Sequence, residues 1–351
     1  MRCPTLAELP APPPGKEGWP WTQEGPRLPH SLPGGAPWPR ISVVTPSFNQ
    51  GEFIEETIRS VLLQGYPDLQ YIIIDGGSTD GTVDIIGKYE QWLDFWTSEP
   101  DQGQSDAINK GLERATGQVL AYLNSDDIYL PGALGTVGRA FADPAVQWAS
   151  GRCRLLGRAT RGLATLPRRP WRERWRWLVR NCIFQPSTFW RREVADQVGP
   201  FSTDLHLLMD YEYWLRMVAA GHSVTWMDAW LSGYRLHRHS KTRSYDDEFW
   251  RESEMVRARH MAMLTAGERR KVQRAVTALR GRRLRWQAWR EARAGEPVAS
   301  LSDLGAAMRA SPRLLLSPRT AAALLLALFG LLCLKPLGFA LRLLGGSKAS
   351  R

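Results

Sequence analysis

The chain of 351 residues is 43% hydrophobic and 23% charged, a balance that supports a soluble protein with a real core, as one large domain with appendages or two small ones. Its net charge of +11 is local: residues 265–319 carry 13 Lys/Arg against 4 Asp/Glu, and residues 151–180 carry 10 Arg against 1 Glu. That asymmetry points to an anionic partner, whether phosphates, acidic lipid or nucleic acid. Cys3, Cys153, Cys182 and Cys333 have no paired spacing, which argues against a zinc site or a disulfide framework and fits a reducing compartment.

Residues 1–39 hold 11 of the 24 prolines, together with Trp19, Trp21 and Trp38. Proline at that density prevents regular structure, leaving an extended leader draped over the domain through its tryptophans or a disordered tail. The segment lacks the apolar core of a secretory signal, so a cytoplasmic chain is expected. From Arg40 the pattern changes. Ile41 to Thr45 reads as a buried strand, and Pro46 to Gly51 as a loop; a helix follows from Glu52 to Gln64, with Ile54, Ile58, Val61 and Leu62 at helical spacing. Tyr71 to Asp75 is a second strand, ending in Gly76 and Gly77. A helix through Val83, Ile86 and Tyr89 comes next, then one containing Asp106 and Lys110. The apolar run Gln118 to Leu123 is a further buried strand. Alternating strands and helices imply an α/β fold with a mainly parallel sheet, whose ligands sit at the carboxyl ends of the strands. Thr45, Asp75 and the pair Asp126/Asp127 all lie at such ends.

Two adjacent carboxylates where a buried strand leaves the sheet repel one another. A hard divalent cation, Mg2+ or Mn2+, would relieve that, and a solvated turn with a helix N-cap is the plain alternative. Asp75 beside two glycines suits close approach of a planar or phosphorylated ligand, but the spacing is neither a dinucleotide fingerprint nor a Walker loop. Asp80 fits the N-cap of the following helix.

Seven segments, in order, resemble the inverting nucleotide-sugar glycosyltransferases of family 2. They are VVTPSFNQGEFIEETIRSVLLQ from Val43, IIIDGGSTDGT from Ile72, SEPDQGQSDAINKGL from Ser98, LNSDD from Leu123, QPSTFWRR from Gln185, MDYEYWLR from Met209 and YRLHRHSKT from Tyr234. The resemblance runs from Ile41 to Arg243 and implies a GT-A fold with a helical C-terminal extension. It further implies a nucleotide-sugar donor, a UDP-sugar, a divalent cation (Mn2+ or Mg2+) and a glycan or lipid-linked acceptor. By resemblance Asp75 would bind the base, Asp126 the ribose and Asp127 the metal. Thr45, Pro46, Asp106, Lys110, Asn124 and Lys241 are further candidate donor contacts, and Asp126 and His237 further candidate metal ligands. Asn124 stands where many members carry the first Asp of a D-x-D motif.

Inverting transfer needs a base for the acceptor hydroxyl. Asp210 and Glu212 are two apart on a helix and point about 200° apart, so one site does not use both. The family pattern puts the base at Asp210, with Tyr213, Trp214 and Met217 packing beneath; an N-cap is the plain alternative. Gln185 is either a sugar contact or a buried turn amide.

Trp171, Trp175 and Leu178 share a helical face amid arginines, as in an interfacial membrane helix, a lid over the acceptor, or a structural helix. Residues 266–293 are expected to be helical and basic. Ala321 to Leu334 is an uncharged run too short to span a bilayer, expected to lie on the membrane surface or pack on the domain. The expected organisation is a leader over 1–39, a GT-A domain over 40–262, a basic helical extension over 263–311 and a hydrophobic segment over 312–351. A peripheral enzyme at the inner face of the cell membrane, in cell-surface polysaccharide synthesis, follows from these readings. A catalytically silent GT-A scaffold is one alternative. A nucleic-acid-binding protein is the other, and it leaves Asp75, Asp126, Asp127 and Asp210 unexplained, so no nucleic-acid partner is expected.

Overall fold

The computed structural model describes residues 3–156, 171–237, 246–294 and 296–310, with positions 320, 321, 324, 325 and 327. It divides into two compact units, Met1–Met263 and Leu264–Arg351. The first is built on an eight-stranded sheet in the order β3-β2-β1-β4-β7-β6-β8-β5. Its strands are β1 (Ile41–Ser47), β2 (Leu69–Asp75), β3 (Phe95–Ser98), β4 (Val119–Tyr122), β5 (Ile128–Tyr129), β6 (Trp148–Leu156), β7 (Thr188–Arg191) and β8 (Val224–Arg235). β1, β2 and β4 are buried at every position, as strands covered on both faces must be. Helices α1 (Ile54–Leu62), α2 (Thr82–Tyr89), α3 (Gln104–Arg114) and α4 (Ala133–Phe141) alternate with them. A Cβ on Gly111 would stand 2.3 Å from Val44 Cγ1, so this glycine lets α3 lie directly on β1.

The β3-β2-β1-β4 half is parallel throughout. Beyond β4 the sheet is mixed: β7 runs antiparallel to β4 and β6, β8 pairs parallel with β6, and β5 closes the edge antiparallel to β8. The reversal sets α6 (Arg192–Val198), α7 (Met209–Ala219) and α8 (Asp246–His260) apart from the strictly alternating first half.

The proline-rich leader packs on the first unit. Leu9, Leu32 and Trp38 enter its main core, and Trp21 is buried. Arg59 of α1 is wholly buried, and its guanidinium donates to the carbonyls of Pro10 (2.8 Å), Pro20 (3.1 Å) and Trp21 (3.1 Å). Trp19 Nε1 donates to the Tyr129 carbonyl at 2.8 Å. A chain without its own ladder is thus held by side-chain donors that satisfy its carbonyls.

The single Trp171/Trp175/Leu178 helical face does not form. The helix there, α5 (Arg174–Trp177), has one turn, and Trp177 and Leu178 are the residues that turn inward. Trp177 packs 6.0 Å from Trp148, and its carbonyl accepts the Tyr211 hydroxyl. In the second unit, α9 (Ala266–Ala294) runs unbroken through Gly281 and packs against α10 (Pro297–Ala310), with Ala288 and Leu304 buried between them. No helix among the described residues is long and apolar enough to cross a membrane; most of the Ala321–Leu334 run lies outside them.

Arg59→Leu would strand the carbonyls of Pro10, Pro20 and Trp21 beneath the leader. It is expected to cost on the order of 3–5 kcal/mol, read as a lower urea midpoint, and to expose residues 10–21 to proteolysis. An unchanged midpoint would show that the leader is held by its tryptophans alone.

Candidate active site

Ser47 and Asp75 are register partners at the carboxyl ends of β1 and β2. Asp75 is fully buried and organises its own loop. Its Oδ2 accepts Gly77 N–H (3.2 Å), Ser78 N–H (2.8 Å) and Ser98 Oγ–H (2.7 Å), and its Oδ1 accepts Ser78 Oγ–H (2.5 Å). A nucleotide base is therefore left with the remaining lone pair of Oδ1. A Cβ on Gly76 would meet Asp101 Oδ2 at 2.7 Å, so the glycine keeps this loop against the entry to α3. Asp80 accepts the N–H and hydroxyl of Thr82 at the start of α2. Thr45 and Pro46, expected as donor contacts, are both buried, and Thr45 Oγ1 is engaged with the Tyr71 hydroxyl at 3.1 Å, because the two side chains share one face of the paired strands β1 and β2.

After β4 the chain turns through Asn124–Asp127. Thr57 of α1 fixes the turn by donating to the carbonyls of Ser125 (2.9 Å) and Asp127 (2.7 Å). Asp127, expected to hold the metal, is fully buried. Its Oδ1 accepts the Arg235 N–H at 2.9 Å, and among the described residues its Oδ2 has no hydrogen-bond partner. Burial, and then the neighbouring Asp126, push its carboxyl well above the usual range. Asp126, expected at the ribose, is the partly exposed member, and its Oδ2 lies 3.0 Å from His237 Nε2. The His237 ring rests on Phe53 at 4.7 Å. Arg235 donates Nε–H to the Asp126 carbonyl at 2.9 Å and pairs with Glu56 at 2.9 Å. The expected trio Asp126, Asp127 and His237 is not assembled, and among the described residues no group of three or more His, Cys, Asp or Glu side chains is arranged to hold a metal. Of the pair that does meet, the Asp126 carboxylate is the hard oxygen ligand that a Mn2+- or Mg2+-type ion would take, with positions left open for phosphate oxygens.

Asp106 and Lys110 are occupied with each other at 2.8 Å, and Asp106 also accepts the Gln102 N–H. The pairing lowers the Asp106 pKa and raises that of Lys110, so both stay charged. A residue the sequence reading passed over, Gln104 at the start of α3, donates to Asn124 Oδ1 at 2.6 Å. Asn124 in turn donates to Gln185 Oε1 at 3.3 Å, and Gln185 to the Tyr122 carbonyl at 2.7 Å. Gln185 is thus a buried turn amide. Lys241 lies outside the described residues.

Asp210 is the second residue of α7. The helix stands on an aromatic floor: Trp214 stacks on Trp148 (5.8 Å) and meets Trp190 (5.6 Å), and Tyr213 stacks on Phe201 (3.9 Å). Ser105 Oγ donates to Met209 Sδ at 2.7 Å, so α3 touches the cluster at Asn124 through one residue and α7 through the next. A cleft lined by Gln102, Gln104, Thr203, Leu205, His206 and Met209 opens there. Asp210 and Asp127 both act on buried Tyr122, adding to the burial that raises its hydroxyl pKa. Burial pushes the Asp210 carboxyl up to about 6, and its Oδ1 accepts the Tyr211 N–H at 2.6 Å. Glu212 points away and is bound by Arg216 Nε and His260 Nε2, each at 3.0 Å.

A sequence model of glycosyl transferase family 2 matches residues 42–199. An uncharacterized glycosyltransferase of Mycobacterium tuberculosis is 30% identical over 194 residues, covering 53% of this chain and 72% of the relative. The chain belongs to glycosyl transferase family 2. A putative teichuronic acid biosynthesis glycosyltransferase of Bacillus subtilis, TuaG, is 46% identical over 92 residues, covering 25% of this chain and 36% of the relative. A further M. tuberculosis protein, 29% identical, is covered over 62% of its length, so the chain spans only part of these two relatives. S. aureus TarS 1-349, crystallised in complex with UDP, superposes with a TM-score of 0.54 at 17% identity, covering 83% of this chain and 88% of that one. The fold is GT-A, the family's α/β sheet flanked by helices.

Asp127→Asn keeps an acceptor for the Arg235 N–H and removes the ionisation that burial disfavours. A carboxyl whose pKa is raised by folding binds more protons folded than unfolded, so its ionisation lowers stability as pH rises above about 4. Asp127→Asn is therefore expected to flatten the pH dependence of the melting temperature. Asp127→Ala, which leaves the Arg235 N–H unpaired, is expected to cost about 1–3 kcal/mol. Identical pH profiles for wild type and Asp127→Asn would contradict the burial argument.

Proposed function

We propose that the protein transfers a sugar, with inversion, from a nucleoside-diphosphate sugar to a hydroxyl of a glycan or lipid-linked acceptor in cell-surface polysaccharide synthesis. The observation that carries this is Asp210, a carboxyl raised to about 6 at the head of α7, one residue from the α3 contact that leads to Asn124 and the Asp126 turn. A base poised near the working pH is what proton abstraction from an alcohol requires. In this reading Asp210 takes the acceptor hydroxyl proton, the oxygen bonds to the anomeric carbon, and the bond from that carbon to the diphosphate breaks on the opposite face. Asp126 and His237 would hold a divalent cation, which when bound offsets charge on the departing diphosphate. Asp75 and its loop receive the nucleoside. A UDP donor is supported by the likeness in fold to TarS, crystallised with UDP.

The ten Lys/Arg against two Glu in α9 support contact with an anionic membrane surface. Phosphatidylglycerol vesicles are expected to sediment the chain at low salt and release it at high salt. Equal capture by neutral vesicles would count against this.

The first test is the melting temperature with UDP, GDP or dTDP, each with and without Mn2+. UDP with Mn2+ is expected to stabilise the fold by mass action, about 2.7 kcal/mol at a hundredfold excess over Kd. Asp210→Asn should keep that shift and lose transfer by at least about a hundredfold. Wild-type kcat/KM should fall about tenfold per pH unit below about 6 and level above it, since only the ionised carboxyl accepts a proton. Transfer by Asp210→Asn at the wild-type rate would remove the base, and absence of any nucleotide shift would favour a silent scaffold.

A further inference from the structure

Glu252 lies on α8, outside the residues the family model matches. Its carboxylate is 2% exposed, and a buried charge is costly unless its oxygens are satisfied. They are satisfied by backbone: the His206 N–H on Oε1 at 2.7 Å, and the Leu207 and Leu208 N–H groups on Oε2 at 2.9 Å each. These three residues immediately precede α7, whose N-cap, Leu208, has no side-chain oxygen to offer. A carboxylate from another helix thus holds the three backbone N–H groups that lead into α7, the last of them that of the N-cap Leu208, at the helix end whose dipole favours negative charge.

We propose that Glu252 is a positioning residue for transfer, fixing residues 206–208 and through them both the orientation of Asp210 and the Leu205/His206 wall of the cleft. This rests on the reading of Asp210 as the base. The rest of α8 is docked independently, by Arg259 on Asp204 and by His260 on Glu212, so loss of the Glu252 contact does not free the helix. Among the described residues, two titratable groups on other elements act on Asp210 or are acted on by it, Tyr122 of β4 and Glu252 of α8. The Glu252 charge adds to burial in holding the Asp210 proton.

The experiment is a 13C titration of aspartate-labelled full-length chain, with Asp210 assigned by its loss in Asp210→Asn. UDP release from UDP-N-acetylglucosamine with Mn2+ is measured alongside. Glu252→Gln removes the charge and keeps the shape. It is expected to lower the Asp210 midpoint by about half a pH unit or more and kcat by about tenfold, with donor KM within about twofold. Glu252→Asp keeps the charge and shortens the reach. It should leave the midpoint in place while hydrogen exchange at residues 206–208 accelerates and kcat falls. An Asp210 midpoint and exchange rates unmoved by both variants overturn the proposal, as does accelerated exchange with kcat at the wild-type value. Wild-type transfer by Asp210→Asn instead overturns the base reading and leaves the titration and exchange results to judge Glu252 by themselves.

Discussion

The buried carboxyl of Asp127 is the constraint around which the strand ends that carry Asp126 and His237 are assembled. It sits where β4 ends, next to a second carboxyl and out of water, and it accepts the backbone N–H of Arg235. That contact ties the end of β8 to the end of β4. Once the two strand ends are joined, the Arg235 side chain reaches the Asp126 carbonyl and Glu56, and His237, two residues on, reaches Asp126 and rests on Phe53. The half-buried aspartate therefore gains a partner 111 positions away because the buried one has fixed the strand that carries it.

The two carboxyls with chemical work in prospect are both half-buried but have different neighbours. Asp126 sits 3.0 Å from the His237 imidazole. Asp210 stands at the head of α7 above an aromatic floor, where burial holds its proton to about 6. Consecutive residues of α3 join the two settings, Gln104 to Asn124 and Ser105 to Met209. A shift of α3 relative to β1 would disturb both at once, and the close seat of Gly111 on Val44 opposes such a shift.

The first half of the fold was legible because buried parallel strands announce themselves as apolar runs: β1, β2 and β4 are read directly from residues 41–45, 71–75 and 118–123. Beyond Asp127 the signal fades. β8 mixes buried, half-buried and exposed positions along its length, and β7 has only four residues, so neither shows a clean period. The motifs located the site's residues more reliably than their roles. Asp126 and Asp127 lie in a turn beyond the end of β4, where strand alternation no longer says which of two adjacent side chains points inward. Thr45 illustrates the same difficulty, a polar side chain at a strand end spent on a neighbouring strand. Glu252 was out of reach because its partners are backbone N–H groups more than forty residues away, which no side-chain pattern encodes.

The basic charge also reads differently once its partners are known. Arg59, Arg191 and Arg192 spend their guanidinium donors on backbone carbonyls within the first unit, and Arg216 adds the Val198 carbonyl to its pairing with Glu212. An arginine used in this way counts in the net charge of the chain but serves as a fork of donors for irregular backbone, a task lysine performs less well. The concentrated excess lies instead in α9, where Arg290 and Arg293 lie over Trp286 and Trp289. Bulk charge alone thus joins two unrelated uses of arginine, one that binds backbone carbonyls within the first unit and one that lays guanidinium groups over the tryptophans of α9.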